Sequence, residues 1–125
     1  MSEQIVYVDS STIREGKLEK LIDAMESLAT FVEKKMPQLI TYGFYLDQNK
    51  SRMTVIAIHP DSTSLKNHLD RGAEEFQKFA ELIDLKKIDV YGSITDGVRH
   101  RLEQKAQKLG KARLTVHNFY AGFTR

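Results

Sequence analysis

The chain has 125 residues, of which 41% are hydrophobic, 29% charged and 9% aromatic, a composition typical of one ordinary globular domain. It contains no cysteine, which excludes a disulfide framework, a cysteine nucleophile and a thiolate metal site. No run approaches the ~20 apolar residues of a membrane span, and the first residues lack the basic and apolar regions of a signal peptide. We therefore expect a cytoplasmic protein with no membrane partner.

The net charge of +2 hides an uneven distribution. From Val98 onward, seven Lys or Arg residues accompany one acid, Glu103, so this segment carries +6 and the first 97 residues carry −4. A basic helix can bind nucleic acid through counterion release. No aromatic residue interleaves the cations of this helix, however, so base stacking is unsupported and nucleic acid is not the favoured partner. We expect a solvated face or a dimer-clasping element, outside any pocket.

The first elements are a strand and a long helix. Residues Ile5–Asp9 form a β-branched and aromatic run, which predicts a strand, and Ser10–Thr12 offer hydroxyl oxygens as N-caps for the helix that follows. From Arg14 to Met36 the apolar residues recur at steps of three and four, so they share one helical face. Pro37 ends this helix, because proline lacks an N–H and disfavours a helical residue before it.

A β-hairpin follows, with strands over residues 39–46 and 52–59 joined by a polar turn. If Leu46 pairs with Arg52, Tyr42 and Phe44 share a face with Ile56, while Met53 and other apolar residues lie on the opposite face. Both faces of the hairpin are then largely apolar. An antiparallel sheet with one solvated face should alternate apolar and polar residues, so each face is expected to be covered.

The remaining elements are a helix, a strand, a helix and a strand. The second helix begins after Pro60 and has an inward stripe formed by Leu65, Leu69, Gly72, Phe76, Phe79, Ala80 and Ile83. A fourth strand is expected over residues 88–94. Thr95 caps a third helix that ends at Gly110, and a last strand is expected over residues 113–119.

The order β-α-β-β-α-β predicts a ferredoxin-like α+β fold with an antiparallel sheet, followed by a C-terminal helix and strand. We expect one domain over residues 1–125, with a core at 5–94 and an extension at 95–125. Two helices cover one face of such a sheet and leave the other bare. Because large exposed apolar patches are rare on monomers, we predict a homodimer whose sheets pack face to face.

The segment from Ile58 to His68 reads IHPDSTSLKNH. With the element order and the hairpin, it resembles the antibiotic-biosynthesis-monooxygenase type of dimeric α+β barrel protein. The resemblance covers roughly residues 5–94. It implies a dimeric α+β barrel and a histidine in the second helix, here His68. The family includes cofactor-independent oxygenases of polycyclic phenols, haem-degrading enzymes and isomerases. The chain departs from the first two groups in having no tryptophan.

His59 and His68 are the candidate catalytic residues. One ends the third strand and the other lies early in the helix that this strand feeds, so both rings could reach one pocket. Histidine titrates near neutral pH and can move a proton or bind a metal. No third ligand at a metal-binding spacing accompanies them, so neither a metal nor a cofactor is predicted. The alternative is that His59 satisfies a backbone carbonyl and His68 is half exposed at the helix edge.

The candidate ligand-binding residues are Tyr7, Tyr42, Tyr45 and His117. A tyrosine can line a pocket with its ring and present its hydroxyl group to a phenolic ligand. The same residues could instead be core or dimer-interface aromatics, and the sequence does not separate these alternatives. His117 could close a pocket or lie at a dimer interface.

These features predict a small-molecule-binding protein, either a cofactor-independent oxygenase or an isomerase acting on a phenolic or enolic substrate. The ligand would be small and hydrophobic or aromatic. The alternative is a non-catalytic dimeric binding or interaction module. Nucleic-acid binding through the basic helix is a third, less favoured hypothesis.

Overall fold

The computed structural model describes residues 4–125. The elements in this range are β1 (Ile5–Ile13), α1 (Leu18–Lys35), β2 (Thr41–Leu46), β3 (Arg52–His59), α2 (Ser62–Gln77), β4 (Ile83–Tyr91), α3 (Asp96–Leu109) and β5 (Arg113–His117). The sheet order is β2-β3-β1-β4-β5, with β5 parallel to β4 and the other pairs antiparallel. This arrangement confirms the ferredoxin-like α+β fold with an added helix and strand.

Several predicted boundaries were wrong. Strand β1 continues to Ile13, and Ser10–Thr12 pair with β3 instead of capping α1. Helix α2 ends at Gln77 and β4 begins at Ile83, five residues before the predicted start at residue 88. The reason is that Ile83 fits both patterns: it continues the helical stripe, and together with Leu85 it is buried at the spacing of two that is typical of a strand. Strand β5 ends at His117 instead of residue 119.

The hairpin register differs by one residue from the one considered above, because Leu46 pairs with Met53. The Asp47 carboxylate accepts hydrogen bonds from the backbone N–H groups of Ser51 and Arg52, at 2.8 and 2.9 Å. This turn fixes the register. As a result, Tyr42 lies opposite Ala57 and Phe44 opposite Val55, so these two aromatic residues share a face with the buried residues of β3.

The two faces of the sheet differ in their covering. Helices α1 and α2 pack on what we call the inner face, and α3 packs against α2, β4 and β5. Side chains at Tyr7, Asp9 and His59 point to this face and are buried. On the opposite, outer face, apolar residues of β1 and β3 remain partly exposed. Within residues 4–125, no helix has the length and apolar character needed to cross a membrane.

Candidate functional site

The side chains of His59 and His68 lie side by side between α2 and the sheet. His59 is the last residue of β3, and Asp61 caps the helix that follows by accepting a hydrogen bond from the Ser64 N–H at 2.9 Å. The helix thereby turns back over the strand and directs His68 toward the sheet. The two imidazole ring centroids are 5.3 Å apart, and both residues are buried. Neither is half exposed at a helix edge.

The hydrogen bonds of the two histidines differ. His59 Nδ1 lies 2.9 Å from the Ser64 hydroxyl oxygen, while its buried Nε2 has no partner in the described part of the chain. His68 Nδ1 lies 3.0 Å from the sulfur of Met36. Because a thioether can only accept a hydrogen bond, Nδ1 of His68 carries the hydrogen and Nε2 holds the lone pair. Nε2 is therefore the basic atom of His68.

Burial keeps both imidazoles neutral at neutral pH. It lowers the pKa of His59 to about 4. Burial also lowers the pKa of His68 well below its ordinary value, and the positive charges of Lys105 and of protonated His59 act in the same direction. Each ring is thus available as a proton acceptor, although a weaker base than an exposed histidine.

Aromatic side chains form the walls around His68. The Tyr42 ring centroid is 5.2 Å from that of His68, and the Phe76 centroid is 5.1 Å away on another side. Burial, with a contribution from the nearby Asp9 charge, raises the pKa of Tyr42 well above its ordinary value. Tyr42 therefore stays protonated and can donate a hydrogen bond.

A second buried cluster joins β1 to α3. The Tyr7 hydroxyl donates to Asp9 Oδ2 at 2.5 Å, and Lys105 Nζ donates to the Tyr7 oxygen at 2.8 Å. The ammonium group also lies 3.5 Å from Asp9 Oδ2. Burial raises the pKa of Tyr7, and the charge of Asp9 raises it further. Burial lowers the pKa of Lys105, and the charge of Asp9 opposes that change. A lysine and a carboxylate thus form a largely buried ion pair next to the histidines.

Asp9 and Lys105 were missed in the sequence, and the expectation that the basic extension lies outside the pocket was wrong. The signal was present, since Asp9 continues the alternation of buried Ile5 and Tyr7 in β1. Lys105 follows Leu102 by three residues, and three-residue steps keep side chains on one helical face. Counting charges along the segment concealed that this lysine lies on the buried side of α3.

Phe76 connects the two clusters. Lys105 Nζ lies 4.4 Å from the centroid of the Phe76 ring, a cation–π distance, and the same ring contacts His68. A cavity of about 30 Å³ beside it is lined by residues that include Asp9, Tyr42 and Lys105. The Oδ1 atom of Asp9 is buried and has no partner within residues 4–125. The cavity is thus small and polar on one side.

Two further pockets lie near this cavity. A groove of about 250 Å³ between α2 and α3 shares Phe76, Lys105 and Leu109 with the inner cavity. His68 lines a different, smaller pocket of about 90 Å³ together with Met36. The two histidines do not line the inner cavity itself, so no single open chamber contains them both.

The other two predicted ligand residues lie elsewhere. Tyr45 points to the outer face of the sheet, where its side chain is 55% exposed. His117 also lies on this face, stacked on Tyr91 with ring centroids 4.3 Å apart and with Nε2 3.0 Å from Asp89 Oδ1. The structure therefore brings Tyr7 and Tyr42 close to the histidines, but not Tyr45 or His117. The described residues contain no group of three or more His, Asp or Glu side chains placed to hold a metal ion.

No protein-family model matches the chain, and no curated protein matches it. Solved structures similar to it include MupZ from Pseudomonas fluorescens, with 21% identity and a TM-score of 0.72 over 100% of this chain and 91% of that one. SnoaB from Streptomyces nogalater, a cofactor-independent oxygenase, has 12% identity and a TM-score of 0.63, covering 74% of this chain and 94% of its own.

A Bacteroides thetaiotaomicron protein provisionally named an antibiotic biosynthesis monooxygenase has 16% identity and a TM-score of 0.57, with coverage of 67% and 84%. At these identities the likeness concerns the fold. It confirms the fold resemblance seen in the sequence: the chain has the ferredoxin-like α+β fold of antibiotic-biosynthesis-monooxygenase-like proteins.

Proposed function

We propose that the protein binds a small phenol or enol against the inner face of the sheet and that His68 removes its acidic proton. The observation that carries this proposal is the neutral imidazole of His68, with its Nε2 lone pair, between aromatic walls, one of which, Phe76, also contacts the Lys105 ammonium. A base and a fixed cation are the two groups that enolate formation needs. The shared fold with a cofactor-independent oxygenase supports the same reaction class.

In the proposed step, Nε2 of His68 accepts the hydroxyl proton and the ligand becomes a phenolate or enolate. Lys105, held by Tyr7 and Asp9, stabilises the negative charge on the ligand oxygen. Protonation at carbon instead of oxygen would complete an isomerisation. In an oxygenation, the electron-rich carbanion reacts with O₂, so that one oxygen atom enters the product as a carbonyl and the other leaves as water.

Ligand binding requires side chains to move, because a cavity of about 30 Å³ holds little more than a water molecule. Phe76 and Lys105 line both the cavity and the groove between α2 and α3. Because the Phe76 ring also contacts His68, its rotation would join the two spaces and expose His68 to them. We therefore propose this groove as the entrance.

The experiment uses dithranol, an anthrone whose enol tautomer is a polycyclic phenol, and follows dissolved O₂ and product absorbance. Oxidation of its methylene carbon to a carbonyl consumes one O₂ and releases one water per molecule. We expect saturable, protein-dependent O₂ uptake with that stoichiometry and no added cofactor. If O₂ uptake with the protein equals O₂ uptake in buffer alone, and a titration also detects no binding of dithranol, the proposal is wrong.

A specific observation favours a second candidate, a non-catalytic binding module. Both histidines already have intramolecular partners, in Ser64 and Met36, and the interior cavity is small. If the two histidines have only a structural role, dithranol is oxidised at the rate seen in buffer alone even when it binds to the protein. The basic helix is not proposed as a nucleic-acid surface, because Lys105 points inward and Arg101 is paired with Asp70 at 2.7 Å.

We also propose that the protein is a homodimer through the outer face of the sheet. Val6 lies opposite Ile58, and Val8 lies opposite Ile56. These four side chains form an apolar strip that α1 and α2 do not cover and that is only partly buried. Packing against the same strip of a second copy would remove it from water.

A further inference from the structure

We infer that the groove between α2 and α3 binds the acidic group of an aromatic anion, so that the ligand of the pocket carries a carboxylate or a similar negative charge. The inference deepens the proposed function, since it names the ligand class and uses the same entrance. It depends on the groove lining and on the charges there, and it does not require His68 to be catalytic.

The cations of the groove come from one face of α3. Arg101, Lys105 and Lys108 follow each other at steps of four and three residues, the spacing of neighbours along one helical face, and all three line the groove. Asp70 from α2 is the acidic residue of the lining. The groove therefore carries more positive than negative charge.

The existing ion pairs leave a positive charge in excess at the mouth. Asp70 lies 2.7 Å from Arg101 and 3.3 Å from Lys66, so its charge is already met by two cations. Lys105 is engaged with Asp9 deeper in the fold. Lys108 forms no ion pair with any residue in the range 4–125. An anion at the mouth would meet an uncompensated ammonium group.

The wall of the groove that α2 forms is largely apolar. Leu69, Ala73 and Phe76 of α2 supply its apolar surface, next to the polar Asp70 and Gln77 of the same helix. A volume of about 250 Å³ accommodates a two-ring aromatic group. A ligand with fused rings and one acidic substituent would match both walls at once, with its rings against Phe76 and its negative charge toward α3.

The test compares 2-naphthoate with 2-naphthamide, which have nearly the same shape and differ in charge, by isothermal titration calorimetry with the full chain. We expect the anion to bind about tenfold more tightly than the amide and its affinity to fall as salt is added. Lys108→Gln should weaken naphthoate binding about two- to fivefold and leave naphthamide binding unchanged. Arg99→Gln is the matched control, since it removes one exposed charge from the same helix outside the groove lining.

Equal affinity for the two probes, binding of neither, or equal weakening by Lys108→Gln and Arg99→Gln would overturn the inference. The outcome is separable from that of the proposed reaction. Charge-selective binding of naphthoate without any dithranol oxidation would leave the anion site standing and remove the catalytic role. Dithranol oxidation without a preference for naphthoate over naphthamide would leave the catalytic role standing and remove the anion site.

Discussion

The Nζ atom of Lys105 lies 2.8 Å from the hydroxyl oxygen of Tyr7 and donates a hydrogen bond to it, although 98 residues separate the two in sequence. The bond ties helix α3 to the central strand β1. It also holds a cation beside Phe76, whose ring contacts His68. The C-terminal helix is thereby part of the interior of the fold, and its lysine sets the electrostatic environment of the candidate base.

Replacing Lys105 with methionine should destabilise the protein by about 3–5 kcal/mol, because it leaves the buried Asp9 carboxylate without its cation. Urea unfolding followed by circular dichroism measures this loss. The double variant Asp9→Asn with Lys105→Met removes both charges and should recover a substantial part of it. If Lys105→Met and the wild type unfold at the same urea concentration, the ion pair contributes nothing to stability.

Acid should destabilise the protein through His59. The unfolded chain binds a proton at His59 below the ordinary pKa of 6.5, whereas the native chain does so only near a pKa of about 4. The free energy of unfolding therefore falls as the pH drops from 6.5 to 4, by about 3 kcal/mol over the whole window. Urea unfolding at several pH values should show that the free energy of unfolding depends less on pH in His59→Gln than in the wild type. The exposed His100→Gln is the control, and an unchanged slope in His59→Gln would contradict the assignment.

Gly72→Ala should displace the ring of Phe76. A Cβ atom at position 72 would lie 2.4 Å from Phe76 Cζ, so the ring must move, at a cost of about 1–3 kcal/mol. Gly97→Ala is the matched control in another helix, because its Cβ would meet only Thr95 Oγ1, at 3.9 Å. We expect Gly72→Ala to lower the melting temperature and Gly97→Ala to keep or raise it, as helix propensity favours alanine. Equal effects of the two substitutions would show that Phe76 is not held by Gly72.

The proposed dimer should have a mass of about twice the 14.4 kDa of the chain in size-exclusion chromatography with light scattering. Ile56→Glu places a charge in the middle of the apolar strip, which should shift the protein to the monomer because an unpaired charge is costly to bury in an interface. Gln48→Glu makes the same charge in the exposed hairpin turn and should leave the dimer intact. A monomeric wild type at micromolar concentration, or a dimeric Ile56→Glu, would contradict this interface.

Much of the fold could be predicted because apolar spacing dictates it. The helical stripes and the hairpin at residues 39–59 were visible without coordinates, and so was the proximity of His59 and His68 across a strand–helix junction. The hairpin register could not be predicted, because it depends on how the Asp47 carboxylate binds the turn. The Tyr7–Asp9–Lys105 cluster was missed for a related reason, since it joins residues from opposite ends of the chain.

The most direct test of the catalytic proposal is the rate of dithranol oxidation by His68→Ala, with folding checked by circular dichroism. We expect kcat to fall at least about 100-fold, the usual loss when a general base is removed. Added imidazole should restore part of the rate, and His100→Ala should behave as the wild type. A folded His68→Ala variant that oxidises dithranol at the wild-type rate would contradict the role of His68 as the proton acceptor.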